Sequence, residues 1–169
     1  FIVVNKSAGM VVHPGAGNYK NTLLNALLFK FPELENLPRA GIVHRLDKDT
    51  SGLMIVARNQ NAFKNLSEQI SQRLVKRTYQ AFVVGNISRS GIVEEPIGRH
   101  PRNRQKQAVT NKGKYALTKY SIVKKYGNYT HLKVNLETGR THQIRVHMSH
   151  IGFPSVSYTH LTLPTMLPV

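Results

Sequence analysis

The most informative stretch of the chain is residues 44–52, which read HRLDKDTSG. It joins two short apolar runs, residues 41–43 and 53–57, that we expect to be β-strands. Its acids, Asp47 and Asp49, are the only aspartates in the protein, and Arg45 and Lys48 stand beside them. Opposite charge favours an ionised carboxyl group, which can act as a covalent nucleophile. Asp47 is therefore our candidate nucleophile, although the stretch alone fits a turn-capping aspartate better.

The charge of the chain indicates a polyanionic partner. Lysine and arginine number 24 and the acids 8 among 169 residues, which gives a net charge of +16. Residues 96–136 contain no acid at all, and their cations are Arg99, Arg102, Arg104, Lys106, Lys112, Lys114, Lys119, Lys124, Lys125 and Lys133. Such a one-sided distribution favours RNA or DNA, bound through its phosphates, over a merely solvated surface.

Composition also narrows the class of protein. A hydrophobic content of 40% is enough for a packed core. The absence of cysteine excludes disulfides, cysteine-based zinc sites and thiol nucleophiles, and it is compatible with a cytoplasmic location. No apolar run approaches the length of a membrane-spanning helix, so we expect no membrane partner.

The hydrophobic pattern predicts an α+β fold, with a mixed, largely antiparallel sheet and a few flanking helices. We expect one helix from Leu23, capped by Asn21 or Thr22 and stopped by Pro32, and another after a cap at Asn59. A third helix is expected over residues 141–151. The expected strands cover residues 1–4, 10–12, 41–43, 53–57, 78–84, 91–93, 116–123 and 129–136.

Two further segments carry candidate site residues. In residues 136–147, Arg145 lies one helical turn from His142 and Thr141, where it could pair with a buried carboxylate or form only a surface salt bridge. Tyr79 stands in an expected strand, where a half-buried core residue and a ring that stacks on a base are both possible. We expect no metal site, because His142 and His147 are five residues apart and point to different helix faces.

Three segments together resemble the RluA family of pseudouridine synthases, and especially its RluD-like branch, which modifies large-subunit ribosomal RNA. They are residues 41–53 (GIVHRLDKDTSGL), residues 77–79 (RTY) with the strand that follows, and residues 137–148 (ETGRTHQIRVHM). Residues 12–18 (VHPGAGN) and 95–101 (EPIGRHP) are also similar to that branch. The resemblance covers roughly residues 1–154, and it implies a pseudouridine synthase catalytic-domain fold.

The resemblance implies a mechanism without cofactor or metal, in a cytoplasmic and monomeric enzyme. Asp47 attacks a uridine at C1′ or at the base, the glycosidic bond breaks, the uracil turns, and a bond forms through C5. Tyr79 stacks on the uracil or helps to remove the C5 proton, and Arg145 pairs with Asp47. Arg45 enters the RNA stack and helps to extrude the uridine. The remaining RNA-binding candidates are His44, Arg99, Arg102, Arg104, Lys106, Arg140 and His142.

The two ends of the chain depart from the family pattern. The chain begins inside an expected strand without Met, so we expect an upstream segment, which in RluD-like proteins is often a small S4-type RNA-binding domain. Residues 155–169 contain no Lys, Arg, Asp, Glu or Gly. They resemble translated adapter sequence rather than the segment by which the family continues. We therefore expect a truncated catalytic domain over residues 1–154 and a non-native tail over residues 155–169.

Two rival functions remain open at this point. A non-catalytic RNA-binding or ribosome-assembly module would explain the cations, but it gains nothing from a carboxylate placed against phosphates. A nucleic-acid hydrolase commonly uses several metal-binding carboxylates, and this chain offers only Asp47 and Asp49 in one place. The acid among cations therefore favours an enzyme that isomerises RNA.

Overall fold

A computed structural model describes the backbone of residues 1–160 and the side chains of residues 1–156. Residues 1–75 belong to one compact unit and residues 76–159 to another. Both units combine strands and helices, and the strand pairings that we describe are antiparallel. The expected α+β class with a largely antiparallel sheet is confirmed. Most of the expected tail lies outside the described residues, which end at residue 160.

The first unit contains two paired strands and two capped helices. The elements, in chain order, are β1 (Ile2–Lys6), α1 (Leu23–Lys30), 3₁₀ segments at Pro32–Asn36 and Pro38–Gly41, β2 (Ser51–Val56) and α2 (Gln60–Ser71). Thr22 caps α1 in a capping box with Asn25, and Asn59 caps α2, so both expected cap positions are confirmed. The helix α1 ends before Pro32, as expected.

Two expected strands of this unit are wrong. Residues 10–12 form no strand; the carbonyl groups of Val11 and Val12 instead accept the first N–H groups of α1, from Leu23 and Leu24. Residues 41–43 make only a single bridge, Ile42 to Val56. Gly41 has a φ of +76°, which interrupts an extended strand, and the Ala57 N–H donates to its carbonyl group at 2.8 Å.

The second unit is built on five adjacent strands. Its elements are β3 (Arg77–Val84), β4 (Gly91–Glu94), β5 (Ile97–Arg99), β6 (Gln107–Val109), β7 (Leu117–Tyr126), β8 (Tyr129–Leu136), α3 (Gln143–His150) and β9 (Ser155–His160). The strand order is β9-β3-β8-β7-β4, and β5 and β6 form a separate pair. Residue composition alone did not predict β5, β6 or β9. These strands are short or lie in segments whose polar and Pro-rich composition is typical of loops.

The two faces of this sheet carry different residues. Tyr79 pairs in register with Val134, and Val134 with Tyr120, so these side chains share one face. Thr118, two residues before Tyr120, is on that same face and bonds to α3. Phe82 lies three residues after Tyr79 and therefore points to the opposite face. The sheet thus places Tyr79 and α3 together on one side.

Candidate functional site

The acidic stretch forms a loop that leads into β2. Leu46 is buried and anchors it, Asp47 is half-buried, and Arg45 and Lys48 are exposed. The Thr50 N–H donates to the Asp47 carbonyl group at 3.1 Å, which closes a turn around the acid. The loop therefore holds one carboxylate at a defined place between two solvent-facing cations.

The buried side chain of Lys6 bonds to the backbone of this loop. It is 1% exposed, and its Nζ donates to the carbonyl groups of Ser7, Met10 and Lys48, each at 2.9 Å. The Gly9 N–H donates to the same Lys48 carbonyl group at 2.9 Å. A charged donor bonded to several carbonyl groups is a strong tether. The backbone beside Asp47 is therefore fixed to the end of β1.

Lys6 is also an electrostatic partner of the acids. Burial lowers its pKa from the ordinary value of 10.5, and Asp49 and then Asp47 oppose that shift by favouring the ammonium form. Sequence reasoning missed this residue. The available signal was its position, because residues 2, 4 and 6 of an alternating strand point to the same side as the buried residues, and a lysine there requires partners.

His44 fixes the other end of the loop. Its Nε2 accepts the Ile55 N–H of β2 at 2.9 Å, so that nitrogen carries no proton. His44 was predicted to bind RNA, and at this nitrogen the structure gives it a role within the protein. Arg58, which follows β2, pairs with Glu33 at 2.5 Å.

The side chains of Arg39 and Arg45 place positive charge near His13. The pKa of half-buried His13 is lowered by burial and further by the positive charges of Arg45 and Arg39. These two guanidinium groups are thus close enough to His13 to disfavour its charged form. An exposed Arg45 in such surroundings is suited to meet a phosphate or a base of an RNA strand.

In the second unit, α3 is held by a buried polar network centred on Gln143. The Gln143 Nε2 donates to the Leu117 carbonyl group at 3.0 Å and to the Thr118 hydroxyl at 2.9 Å. Its Oε1 accepts the Thr138 hydroxyl at 2.8 Å and the Arg140 N–H at 2.9 Å. All four hydrogen-bonding positions of the amide are used, which makes the start of α3 rigid.

His147 extends this network one turn further along α3. Its Nε2 donates to the Glu95 carbonyl group at 3.0 Å, so its Nδ1 accepts the Thr118 hydroxyl at 2.9 Å in the neutral ring. Burial lowers the pKa of His147, and nearby His150 lowers it further, while Glu95 opposes the shift. Gln143 and His147 were quoted in the motif without a role. Their spacing of four residues, on one helix face, was the available signal.

Three of the predicted residues line one pocket in this unit. A cavity of about 440 Å³ opens beside α3 and contains Lys106, His142 and Arg145. The other lining residues are Gln105, Gln107, Val146, Ser149, Pro154 and Ser155. Arg145 is exposed, whereas His142 is half-buried and has a left-handed backbone, with a φ of 55°. Tyr79 is 6% exposed and lies on the sheet face that packs against α3.

Three of the predicted RNA-binding residues lie on the loop between β5 and β6, whereas Arg99 lies at the end of β5 and Arg140 lies shortly before α3. Arg102, Arg104 and Lys106 are all exposed there. His100 shapes the loop, because its Nδ1 accepts the N–H groups of Arg102 at 3.2 Å and Asn103 at 3.1 Å. Arg99 donates to the Arg104 carbonyl group at 2.7 Å, and Arg140 donates to the Tyr115 carbonyl group at 2.9 Å.

The described residues contain no group of three or more His, Asp or Glu side chains arranged to hold a metal ion. Within residues 1–160, no helix has the length and apolar character needed to cross a membrane. Asp47 lies in the first unit, while Tyr79 and Arg145 lie in the second.

Comparisons with known proteins show which family the chain belongs to. The family model described as RNA pseudouridylate synthase matches residues 1–150. The ribosomal large subunit pseudouridine synthase D of Pseudomonas aeruginosa is 55% identical over 155 residues, which are 92% of this chain and 48% of that protein. The protein of the same name from Nitrosomonas europaea is 54% identical over 153 residues, covering 90% of this chain and 44% of that protein. The chain thus spans about half the length of these relatives.

A solved structure also shares the fold. Human RNA Pseudouridylate Synthase Domain Containing 1 superposes with a TM-score of 0.76 at 24% sequence identity, covering 94% of this chain and 71% of that one. From its sequence and its fold, the chain belongs to the RNA pseudouridylate synthase family.

Proposed function

We propose that this chain is the catalytic part of an RNA pseudouridine synthase that acts on uridines of large-subunit (23S) ribosomal RNA. The observation that carries the proposal is the Asp47 loop, in which Lys6 and His44 fix the backbone around a half-buried carboxylate flanked by exposed cations. The names of the relatives, and the pocket that contains Arg145, support the same reaction. The catalytic domain in this proposal is residues 1–154.

The proposed reaction is an isomerisation in which no atom is gained or lost. The Asp47 carboxylate attacks the uridine at C1′ or at the base, and the bond between N1 and C1′ breaks. The uracil rotates, a bond forms between C5 and C1′, and C5 loses its proton while N1 gains one. No cofactor, metal or redox partner is needed for this balance. In the C1′ route Asp47 leaves C1′ as C5 bonds to it, and in the base route it leaves the base afterwards; either way the carboxylate is regenerated.

Tyr79 and Arg145 have supporting roles in this proposal. Arg145 pairs with Asp47 and keeps it ionised, since a guanidinium favours the charged form of a carboxyl group. Tyr79 lies over the uracil or assists loss of the C5 proton. The rigid attachment of α3 through Gln143 and His147 supports the role of Arg145, because a positioning group must itself be held in place.

In the same proposal, the RNA is bound by the cations that surround Asp47 and Arg145. Arg45 and His44 act at the target nucleotide, and Arg99, Arg102, Arg104, Lys106, Arg140 and His142 act on its flanks. Extruding a nucleotide costs a few kcal/mol, and phosphate contacts can offset that cost. We further infer a monomeric enzyme located in the cytoplasm, where its ribosomal RNA substrate is made.

The test is carbodiimide-based mapping of pseudouridine in 23S ribosomal RNA from cells with and without the intact gene. We expect at least one pseudouridine to vanish on deletion, to return with the wild-type gene and to stay absent with Asp47→Ala. A site restored fully by Asp47→Ala would exclude Asp47 as nucleophile. An unchanged map in the deletion strain would favour the alternative of a non-catalytic RNA-binding or ribosome-assembly module.

A further inference from the structure

A second cationic surface lies on the face of the sheet that points away from Tyr79. Phe82 of β3 pairs in register with His131 of β8, and His131 with Lys124 of β7. Tyr126 and Tyr129 form the next pair on the same face. Lys133, two residues after His131, belongs to this face as well. We call these six residues the aromatic platform.

Three of the four rings of the platform are exposed to solvent, whereas the ring of His131 is buried. Phe82 stacks on His131 with ring centroids 4.6 Å apart and planes 6° apart, and Tyr126 is tilted against Phe82 at 6.2 Å. Phe82, Tyr126 and Tyr129 are 37%, 46% and 45% exposed. Such a cluster presents ring faces and edges at the surface, where they are accessible to a planar ligand.

The charges around these rings select an anionic ligand. The Lys124 Nζ lies 5.1 Å from the centroid of the Tyr126 ring, and Lys124 and Lys133 are both exposed. The acids we find on this face, Glu94 and Glu137, stand toward the opposite end of β7, where Lys119 pairs with Glu137 at 2.8 Å. Among the side chains of residues 1–156, the aromatic end therefore combines stacking surfaces with lysines for which we find no ion pair.

We propose that the aromatic platform binds a second, single-stranded segment of the RNA substrate, remote from the target uridine. Exposed rings on a sheet can stack bases of any sequence, and adjacent lysines can follow the phosphates. Strand parity separates this surface from the face that carries Tyr79 and α3. An RNA that follows both faces would be held at two places, which raises its effective concentration at the catalytic residues. The proposal requires an RNA ligand and so rests on the proposed function.

The absence of tryptophan from the chain makes the platform testable in isolation. Tyr126→Trp introduces a unique indole, and a base that stacks on it quenches its fluorescence. The probe is a 12-nucleotide oligouridylate, with its total binding followed separately by anisotropy of a labelled copy. We expect saturable quenching that weakens as salt is raised. Phe29→Trp, at a side chain that is 91% exposed on α1, is the matched reporter and should not be quenched.

The lysines provide the second arm of the experiment. In the Tyr126→Trp background, Lys124→Gln should raise the half-saturating oligouridylate concentration by about threefold or more, because a cation beside an aromatic ring also neutralises phosphate. Lys64→Gln, at an exposed position of α2, makes the same change in net charge and should have little effect. Circular dichroism checks that each variant is folded.

The outcomes separate this proposal from the proposed function. Oligouridylate that binds by anisotropy without quenching Trp at position 126 would overturn the platform while leaving the RNA substrate in place. Equal quenching by polyphosphate, which has no bases, would reduce the platform to an electrostatic patch and overturn the stacking. Quenching by an acidic peptide but not by RNA would assign the surface to a protein partner. No RNA binding by either method would count against the proposed function itself.

Discussion

The loop of Asp47 and the helix of Arg145 hold their charged side chains in different ways. In the first, one buried cation and one imidazole nitrogen bond to backbone atoms, from Lys6 to the Lys48 carbonyl group and from the Ile55 N–H to His44. In the second, Gln143, His147 and Thr118 bond mainly to one another and to the edge of β7. A loop lacks the regular backbone hydrogen bonds of a helix, so side chains must bond to its backbone to fix its conformation. A helix already has those bonds, and side-chain bonds are needed only to fix its position on the sheet. The difference predicts which substitutions damage which part.

The largest effect is expected from removing the tether of the loop. Lys6→Met leaves three carbonyl groups without their charged donor, and we expect a loss of unfolding free energy on the order of 3 kcal/mol. Turnover should fall together with stability, since the backbone beside Asp47 is released. Urea denaturation measures the free energy of unfolding, and Lys64→Met, at an exposed position, is the control. Wild-type stability in Lys6→Met would show that the loop does not depend on this tether.

The attachment of α3 should be somewhat less costly to break. Gln143→Leu leaves the Thr138 hydroxyl, the Arg140 N–H and the Leu117 carbonyl group without that partner, and we expect a loss of about 2 kcal/mol. Gln143→Glu places a carboxylate oxygen against the Leu117 carbonyl oxygen at a buried position, so it should be at least as destabilising as Gln143→Leu. The comparison would fail if Gln143→Leu were as stable and active as the wild type.

Substitutions in the exposed loop between β5 and β6 should affect binding rather than folding. Replacing Arg102 and Arg104 by Gln removes two candidate phosphate contacts from exposed positions. We expect unchanged stability, weaker RNA binding and a log–log salt slope that is smaller by about 1.5. Binding measured from low to moderate salt tests this expectation. An unchanged slope would remove these arginines from the RNA interface.

The smallest effect is a dependence of stability on pH. The pKa of His147 is lowered in the folded protein from 6.5, so the unfolded chain takes up its proton first as the pH falls. The contribution of His147 is therefore complete above 6.5 and is lost progressively below it. Protonation would also leave the Thr118 hydroxyl without its acceptor. In His147→Gln, the fall in unfolding free energy on acidification should be shallower, although His13 retains a part of it.

The same contrast explains what could be predicted from the sequence. Periodic apolar residues identified α1, α2 and α3 and strands β1, β2, β3, β4, β7 and β8, because period and burial depend on local composition. Residues 10–12 have the composition of a strand, but tertiary contacts use their carbonyl groups to begin α1. The pairing of β5 with β6 depends on His100 and on neighbouring backbone bonds that composition does not reveal.

The sequence allowed us to propose the charged residues of the candidate site, but not the residues that hold their loop and helix in place. Asp47, Arg145 and the basic loop stand out because charge is conspicuous in a sequence. Lys6, Gln143 and His147 act through hydrogen bonds to backbone atoms and to each other, and those partners are far apart along the chain. The alternation of β1 indicates that Lys6 faces the buried side, but the carbonyl groups that it binds cannot be identified from a single sequence.

The central claim is that one carboxylate carries the reaction. The direct measurement is single-turnover release of tritium from large-subunit ribosomal RNA that contains [5-³H]uridine, since formation of the bond through C5 expels that hydrogen. We expect Asp47→Asn to reduce release by roughly a thousandfold or more while RNA affinity is retained. Asp49→Asn, the matched change two residues away, should still release tritium. Release by Asp47→Asn at the wild-type rate would contradict the account.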